Sequence, residues 1–283
     1  MIKEYYYLTK PGIIRGNILT LITGFLVGSA LYGFDSAKLI FAILGTSLVV
    51  ASACILNNIL DIDIDAKMQR TKKRALVTHK IPVKDAIIYA SVFGLAGTAI
   101  LYFLVNSLTA ILGLLGMYLY VVVYTYLKRK TVFSTLIGSL SGSIPPVAGY
   151  ASATNQIDIY SGILFVSMAF WQMSHFYAIS LYRFNDYKKA KIPLLPIEKS
   201  LSRAKLSIIL YIVGFIASLS LMFVYAMISE LSVVLLVSLS TLWLASGLYY
   251  IKITADKWGK MMFLISLIVI SFWCLVLSVD SLI

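Results

Sequence analysis

The sequence predicts an all-α, polytopic membrane protein, and three observations carry that reading. Hydrophobic residues make up 60% of the chain and the mean hydropathy is +0.91, far above the ~45–50% apolar content of soluble domains. Apolar runs of the ~20 residues that a helix needs to cross a ~30 Å hydrocarbon layer recur from one end to the other. Basic residues gather in alternate loops, as they do where spans are oriented by the positive-inside rule.

Apolar windows bounded by charges or turn residues predict nine transmembrane helices around a central cavity, at 14–33, 38–60, 85–106, 108–127, 132–152, 159–182, 204–227, 231–251 and 260–279. The chain reads as a single transmembrane domain over residues 1–283. Before the first helix, MIKEYYYLTKPGIIRGN is polar and aromatic and has no short apolar region with a cleavage site, so the first span is read as retained. The fifth carries GSLSGSIPPVAG. Pro145 and Pro146 must interrupt its backbone bonding, and a broken span is tolerated only where it is buried in protein or lines a cavity.

The loops fix an expected topology. Lys3, Lys10 and Arg15 precede the first helix, and seven basic residues from Lys67 to Lys84 follow the second. Lys128, Arg129 and Lys130 follow the fourth, seven more from Arg183 to Lys205 follow the sixth, and Lys252, Lys257 and Lys260 follow the eighth. Of 24 basic residues only Lys38 falls on the opposite face, which places the N-terminus in the cytoplasm. The net charge of +12 is thus a matter of orientation and of contact with anionic membrane lipid. Nucleic acid is not an expected partner, because no soluble basic recognition fold is present. Cys54 and Cys274 lie inside predicted spans without metal-ligand spacing, so neither a disulfide nor a zinc site is expected.

Two clusters carry chemistry. In NNILDIDIDAKMQRTKKR, Asn57, Asp61 and Asp65 recur every four residues and share a helical face, while Asp63 points away. Charges at the edge of a membrane are costly and mark sites. Clustered carboxylates repel, and a hard divalent ion relieves them; Mg²⁺ takes one or two carboxylates together with substrate phosphate oxygens. Arg70 and Arg74 repeat the spacing, with Lys72 and Lys73 between them, and guanidinium forks pair with phosphate. The second cluster, WQMSHFYAISLYRFNDYKKAKIPLLP, carries His175 about two turns inside the boundary, then Arg183 and Asp186, the latter a candidate for the same or a second metal. These clusters lie four spans apart, which hints at a parallel duplication.

On LTKPGIIRGN, ASACILNNILDIDIDAKMQRTKKRALV, TLIGSLSGSIPPVAGY and the His175 segment, the chain resembles the UbiA superfamily of intramembrane prenyltransferases, and within it the heme-modifying branch. The last three helices match mainly in hydropathy. The resemblance implies a Mg²⁺-dependent enzyme of the bacterial inner membrane that joins farnesyl diphosphate to a vinyl group of protoheme IX, with addition of water, to give heme O. It implies Asn57, Asp61 and Asp65 as metal ligands aided by Asp186, with Arg70, Arg74, Lys128 and Arg183 on the diphosphate and His175 serving the heme. Tyr124 and Lys128 resemble the superfamily's Tyr-x-x-x-Lys element. One departure stands out: Asp186 is followed four residues later by Ala190 rather than a second aspartate. A quinone precursor or other aromatic acceptor, and outside the enzyme class a secondary transporter, are the alternatives the residues leave open. So are a homo-oligomer and association with proteins of heme biosynthesis or oxidase assembly.

Overall fold

The computed structural model describes residues 2–283, and among them every regular element is a helix. A short α1 (Ile2–Leu8) precedes α2 (Pro11–Tyr32) and α3 (Ser36–Leu60), which is followed by the single turn α4 (Ile62–Asp65). Next come α5 (Val83–Leu104) and α6 (Ser107–Tyr118), the latter running through a π-helical turn, Leu119–Tyr124, into α7 (Thr125–Leu127). The chain continues through α8 (Ser134–Gly142), α9 (Ile144–Thr154), α10 (Ile159–Tyr182), α11 (Phe184–Lys189), α12 (Leu195–Glu198), α13 (Leu201–Val224), α14 (Glu230–Tyr249) and α15 (Ala255–Asp280).

Side-chain caps start most of the long helices. The Asp35, Asn106, Ser200 and Ser229 side chains each accept from the backbone N–H three residues on, and Asp158 with Ser161 forms a reciprocal capping box. Pro11 opens α2, where its missing N–H costs nothing, after Lys10 takes a left-handed φ of 54°.

Among the described residues, eight helices are long and apolar enough to cross a membrane. The region expected as the fifth of nine spans is instead two half-helices, α8 and α9, meeting at Ser143. The physical reason is the proline pair: Pro145 and Pro146 sit in the first turn of α9, a position that needs no N–H, and force a new helix to begin there. As a broken segment must be, α9 is buried along nearly its whole length.

Glycine lets α2 and α9 touch backbone to backbone. A Cβ on Gly24 would lie 1.8 Å from the Pro146 carbonyl oxygen, and one on Gly149 would lie 1.9 Å from that of Leu21. In a bilayer, where apolar burial drives little helix association, such close packing supplies the attraction. The α10, α13, α14 and α15 helices enclose the largest core, which includes the fully buried Trp243, Trp258 and Trp273. Many large apolar side chains in mid-span, Leu95, Leu210 and Ile268 among them, point outward, as lipid-facing residues do.

The segment after α3 meets the segment after α10. Ile64 and Met68 pack with Ala190 and Ile192, and the Gln69 amide donates to Asp186. Both polar clusters of the sequence therefore stand on one edge of the bundle.

Gly149→Ala should weaken the protein by about 1–3 kcal/mol through overpacking, lowering its unfolding temperature in detergent, whereas Gly12→Ala, which has open space around it, should not. Equal melting of the two variants would refute the interlock.

Candidate active site

The Asn57–Asp61–Asp65 stripe survives a break in its helix. α3 ends at Leu60, and Asp61 turns to φ −104°, ψ 7°. Two bonds nonetheless carry the one-turn spacing across the break: Asp61 N–H to Asn57 O at 3.0 Å and Asp65 N–H to Asp61 O at 2.7 Å. All three side chains are buried, at 3%, 6% and 4% exposure. Asp63 points away into solvent, as its spacing predicts, and takes a bidentate pair from Arg129 at 2.8 Å and 2.8 Å. That guanidinium bond, only partly offset by burial, lowers the Asp63 carboxyl below its ordinary value.

Every buried acceptor faces a cation from a distant segment. Lys128 pairs with Asp61. Arg74 donates from Nη1 to Asp65 Oδ2 at 2.5 Å and to Asn58 Oδ1 at 2.9 Å. Lys10 donates to Asn57 Oδ1 at 2.6 Å, and the Tyr120 hydroxyl reaches the same oxygen at 3.1 Å. Two buried acids thus meet three cations, and the cluster carries surplus positive charge. Burial pulls the Lys10 ammonium down to about 8 and also lowers that of Lys128. An arriving polyanion relieves this strain.

The donor set suits a hard divalent ion. Asp61 Oδ1 is buried and accepts no hydrogen bond; the Arg129 guanidinium stands 3.7 Å from it. An orphaned carboxylate oxygen beside an amide oxygen and a second carboxylate is the chemistry Mg²⁺ prefers. Among the described residues, no three His, Cys, Asp or Glu side chains converge to hold a metal, so Asp186 does not complete a triad of carboxylates here. It accepts instead from the Gln69 amide at 3.2 Å.

Arg70 and Arg183 stand around a tyrosine. Burial lifts the Tyr187 phenol above its ordinary value; Arg70, Arg183 and Arg74 oppose the lift, and Asp186 adds to it. The Arg183 guanidinium also covers the Tyr182 ring at 4.2 Å.

His175 has its tautomer set by its neighbours. The Ser266 hydroxyl donates to Phe263 O at 2.6 Å, so its oxygen accepts from His175 Nδ1–H at 2.7 Å. The Nε2 lone pair is left without a hydrogen bond. Such a back-bonded imidazole is the usual form of a metal-ligating histidine. The ring stacks on Trp171 at 4.8 Å and lies 5.0 Å from Phe263 and 5.8 Å from Phe176. Phe176 and Tyr124 flank Gly138, where an added Cβ would be 3.8 Å from one ring and 3.2 Å from the other. Lys128 lies over the Tyr124 ring at 5.3 Å, so Gly138 on α8 stands between a ring that touches His175 and a ring that touches the lysine of the Asp61 pair.

Sequence reasoning missed Lys10, Asn58, Tyr120, Arg129 and Tyr187. Lys10 reads as an orientation charge, and nothing local brings it to Asn57, 47 residues away. Tyr120 had a signal, lying one turn before Tyr124 in the Tyr-x-x-x-Lys element and stacked on it at 5.7 Å and 8°.

A helical bundle with its polar residues gathered at one membrane edge is the build of an intramembrane transferase. Residues 17–278 match the UbiA prenyltransferase family, and the chain belongs to it. It is 43% identical over 282 residues to the protoheme IX farnesyltransferase of Photorhabdus laumondii, covering 99% of this chain and 96% of the relative. It is 44% identical to that of Yersinia pseudotuberculosis, covering 99% and 95%. The fold matches a solved digeranylgeranylglyceryl phosphate synthase with a TM-score of 0.81 at 17% identity, over 99% of this chain and 98% of that one. It also matches a UbiA homolog from Archaeoglobus fulgidus bound to DMAPP and Mg²⁺, with a TM-score of 0.70 at 17% identity over 98% and 99%.

Lys128→Met should cost about 3–5 kcal/mol by leaving Asp61 buried with only the more distant Arg129 at 3.7 Å. The double variant Asp61→Asn/Lys128→Met should recover most of that loss in thermal unfolding; no recovery would mean that the two side chains are not coupled.

Proposed function

We propose that this chain transfers a farnesyl group from farnesyl diphosphate to a vinyl group of protoheme IX, with capture of water, giving heme O. The observation that carries the reading is the buried Asn57–Asp61–Asp65 ladder with its surplus of cations, together with a histidine whose Nε2 is left bare. The curated relatives, each called a protoheme IX farnesyltransferase, support the choice of acceptor. The enzyme is assigned to the bacterial inner membrane with its N-terminus in the cytoplasm, on the strength of the loop charges.

Asn57, Asp61 and Asp65 would hold Mg²⁺, and Asp186, on α11 and bonded to the Gln69 backbone N–H, would serve any second ion. When bound, the ion supplies charge neutralisation on the diphosphate oxygens. Lys10, Arg70, Arg74 and Lys128 bind the diphosphate and stabilise the negative charge that grows as its bond to C1 breaks. Lys128 and Arg74 exchange their aspartate partners for phosphate oxygens as substrate arrives. The terminal carbon of the vinyl group then donates its π pair to farnesyl C1. The cation left on the inner vinyl carbon takes up water, which loses a proton to give the hydroxyethylfarnesyl group. Trp171, Phe176 and Tyr124 exclude bulk water from the allylic cation until the carbon–carbon bond has formed. His175 Nε2 orients the porphyrin through its iron.

The direct test is purified protein with protoheme, farnesyl diphosphate and Mg²⁺, followed by mass analysis of the porphyrin; absence of a farnesylated, hydrated product would sink the proposal. Asp61→Ala and Asp65→Ala should each abolish the product in protein that still inserts and folds, and full activity of either at low magnesium would contradict the scheme. His175→Ala should alter the heme absorption spectrum and weaken heme binding more than diphosphate binding. An unchanged spectrum would exclude iron ligation.

A further inference from the structure

His175 also has an aromatic neighbour on α15. Phe263, 5.0 Å from His175, stacks with Tyr182 at 6.2 Å and 26°. Two cations lie over Tyr182: the Arg183 guanidinium at 4.2 Å and the Lys260 ammonium at 5.9 Å. They come from different helices, Arg183 from the end of α10 and Lys260 from the first turns of α15. A close backbone approach sets them side by side. A Cβ on Gly259 would fall 2.7 Å from Leu181 Cβ and 2.8 Å from Tyr182 N, so only glycine lets α15 bring Lys260 onto the Tyr182 ring. Among the described residues neither cation is paired with a carboxylate.

His175 thus has aromatic neighbours on two helices. Phe176 leads toward Gly138, Tyr124 and the Lys128–Asp61 pair, where the prenyl group would be activated. Phe263 leads to Tyr182 and the two unpaired cations above its ring, two helical turns along α10 from His175, or ~10.5 Å of rise. A protoporphyrin has the matching asymmetry, with two propionates on one edge and its vinyl groups on the opposite edge. The distance from iron to propionate is of the same order as those two turns.

Resting on the heme reading above, we infer that Arg183 and Lys260 form the subsite for the two propionate carboxylates of the porphyrin, and that this pairing turns a vinyl edge toward farnesyl C1. The acceptor lies centred on His175. Its carboxylates stay at the membrane edge, where water and the two cations meet them, and its apolar edge enters the bundle. Arg183 accordingly serves the acceptor rather than the diphosphate. Lys260 is a specificity residue outside the metal and diphosphate machinery.

The test uses the full-length protein in detergent, titrated separately with protoheme and with protoheme dimethyl ester, which lacks the carboxylate charges, and followed by heme absorption. Charge-assisted pairing predicts that wild type binds protoheme about tenfold or more tighter than the ester. Lys260→Ala and Arg183→Gln should each reduce that preference several-fold, Lys260→Arg should restore it, and the KM for farnesyl diphosphate should stay at the wild-type value in all three. Lys260 is exposed, so its replacement leaves the fold intact. A preference unchanged in Lys260→Ala overturns the subsite. A raised farnesyl diphosphate KM in Arg183→Gln also overturns it, by returning that residue to the diphosphate. Equal prenylation of ester and protoheme overturns it while the farnesyltransferase reading stands; a wild type that prenylates neither porphyrin fails the parent reading instead, whatever its binding preference.

Discussion

The structure turns on the compensation of two carboxylates buried at a membrane edge. Asp61 and Asp65 have lost most of their water, and an ion so placed carries a penalty of several kcal/mol unless a partner offsets it. Two partners come from far along the chain, Lys128 from the end of α7 and Lys10, through Asn57, from the junction of α1 and α2, while Arg74 folds back from the loop after α4. One set of contacts therefore both seals this edge of the bundle and builds an anion site. Under the proposed function the surplus of cations, unfavourable by itself, would become favourable against a diphosphate, directing binding energy at the end of the substrate where charge develops during reaction.

The break in the fifth expected span serves the same end. By restarting the helix at Ile144, the proline pair gives α8 and α9 separate courses, and each packs against a different partner. α9 locks to α2 through Gly24 and Gly149, while α8 lies against Tyr124 and the α10 helix through Gly138 and Gly142. The second contact brings Gly138 between Tyr124 and Phe176, one residue from each side of the site. Ser266 on α15 then fixes the His175 imidazole, and Trp171 donates to the Ser266 carbonyl at 2.8 Å to hold that turn in place. Each device is short-range, but together they bridge helices from both halves of the chain.

Much of this was legible in the residues. Hydropathy alone locates the long helices to within a few residues because in lipid each span must satisfy its own backbone. The four-residue spacing of Asn57, Asp61 and Asp65 survives because hydrogen bonds at that interval continue across the turn at Asp61. Asp63 could be read as outward-facing for the same reason. Less legible were the partners. Lys10 and Lys128 look alike as loop charges until the bundle closes around them, and Arg129, which reads as part of the same basic run, binds the exposed Asp63 instead. The prolines announced a break, but its exact register at Ser143 depends on which carbonyls remain to be satisfied in α8.

By itself the sequence determined the solvent in which this chain folds, the order of its helices, and the residue types able to hold a metal and a diphosphate, because hydropathy and helical periodicity are local properties. The tertiary structure decided which cation answers which carboxylate, which nitrogen of His175 is left bare, and that Lys260 comes to lie beside Arg183 over one tyrosine ring. Those outcomes depend on contacts between helices far apart in the chain, where one glycine or one serine hydroxyl sets the approach, and no periodicity within a segment encodes them.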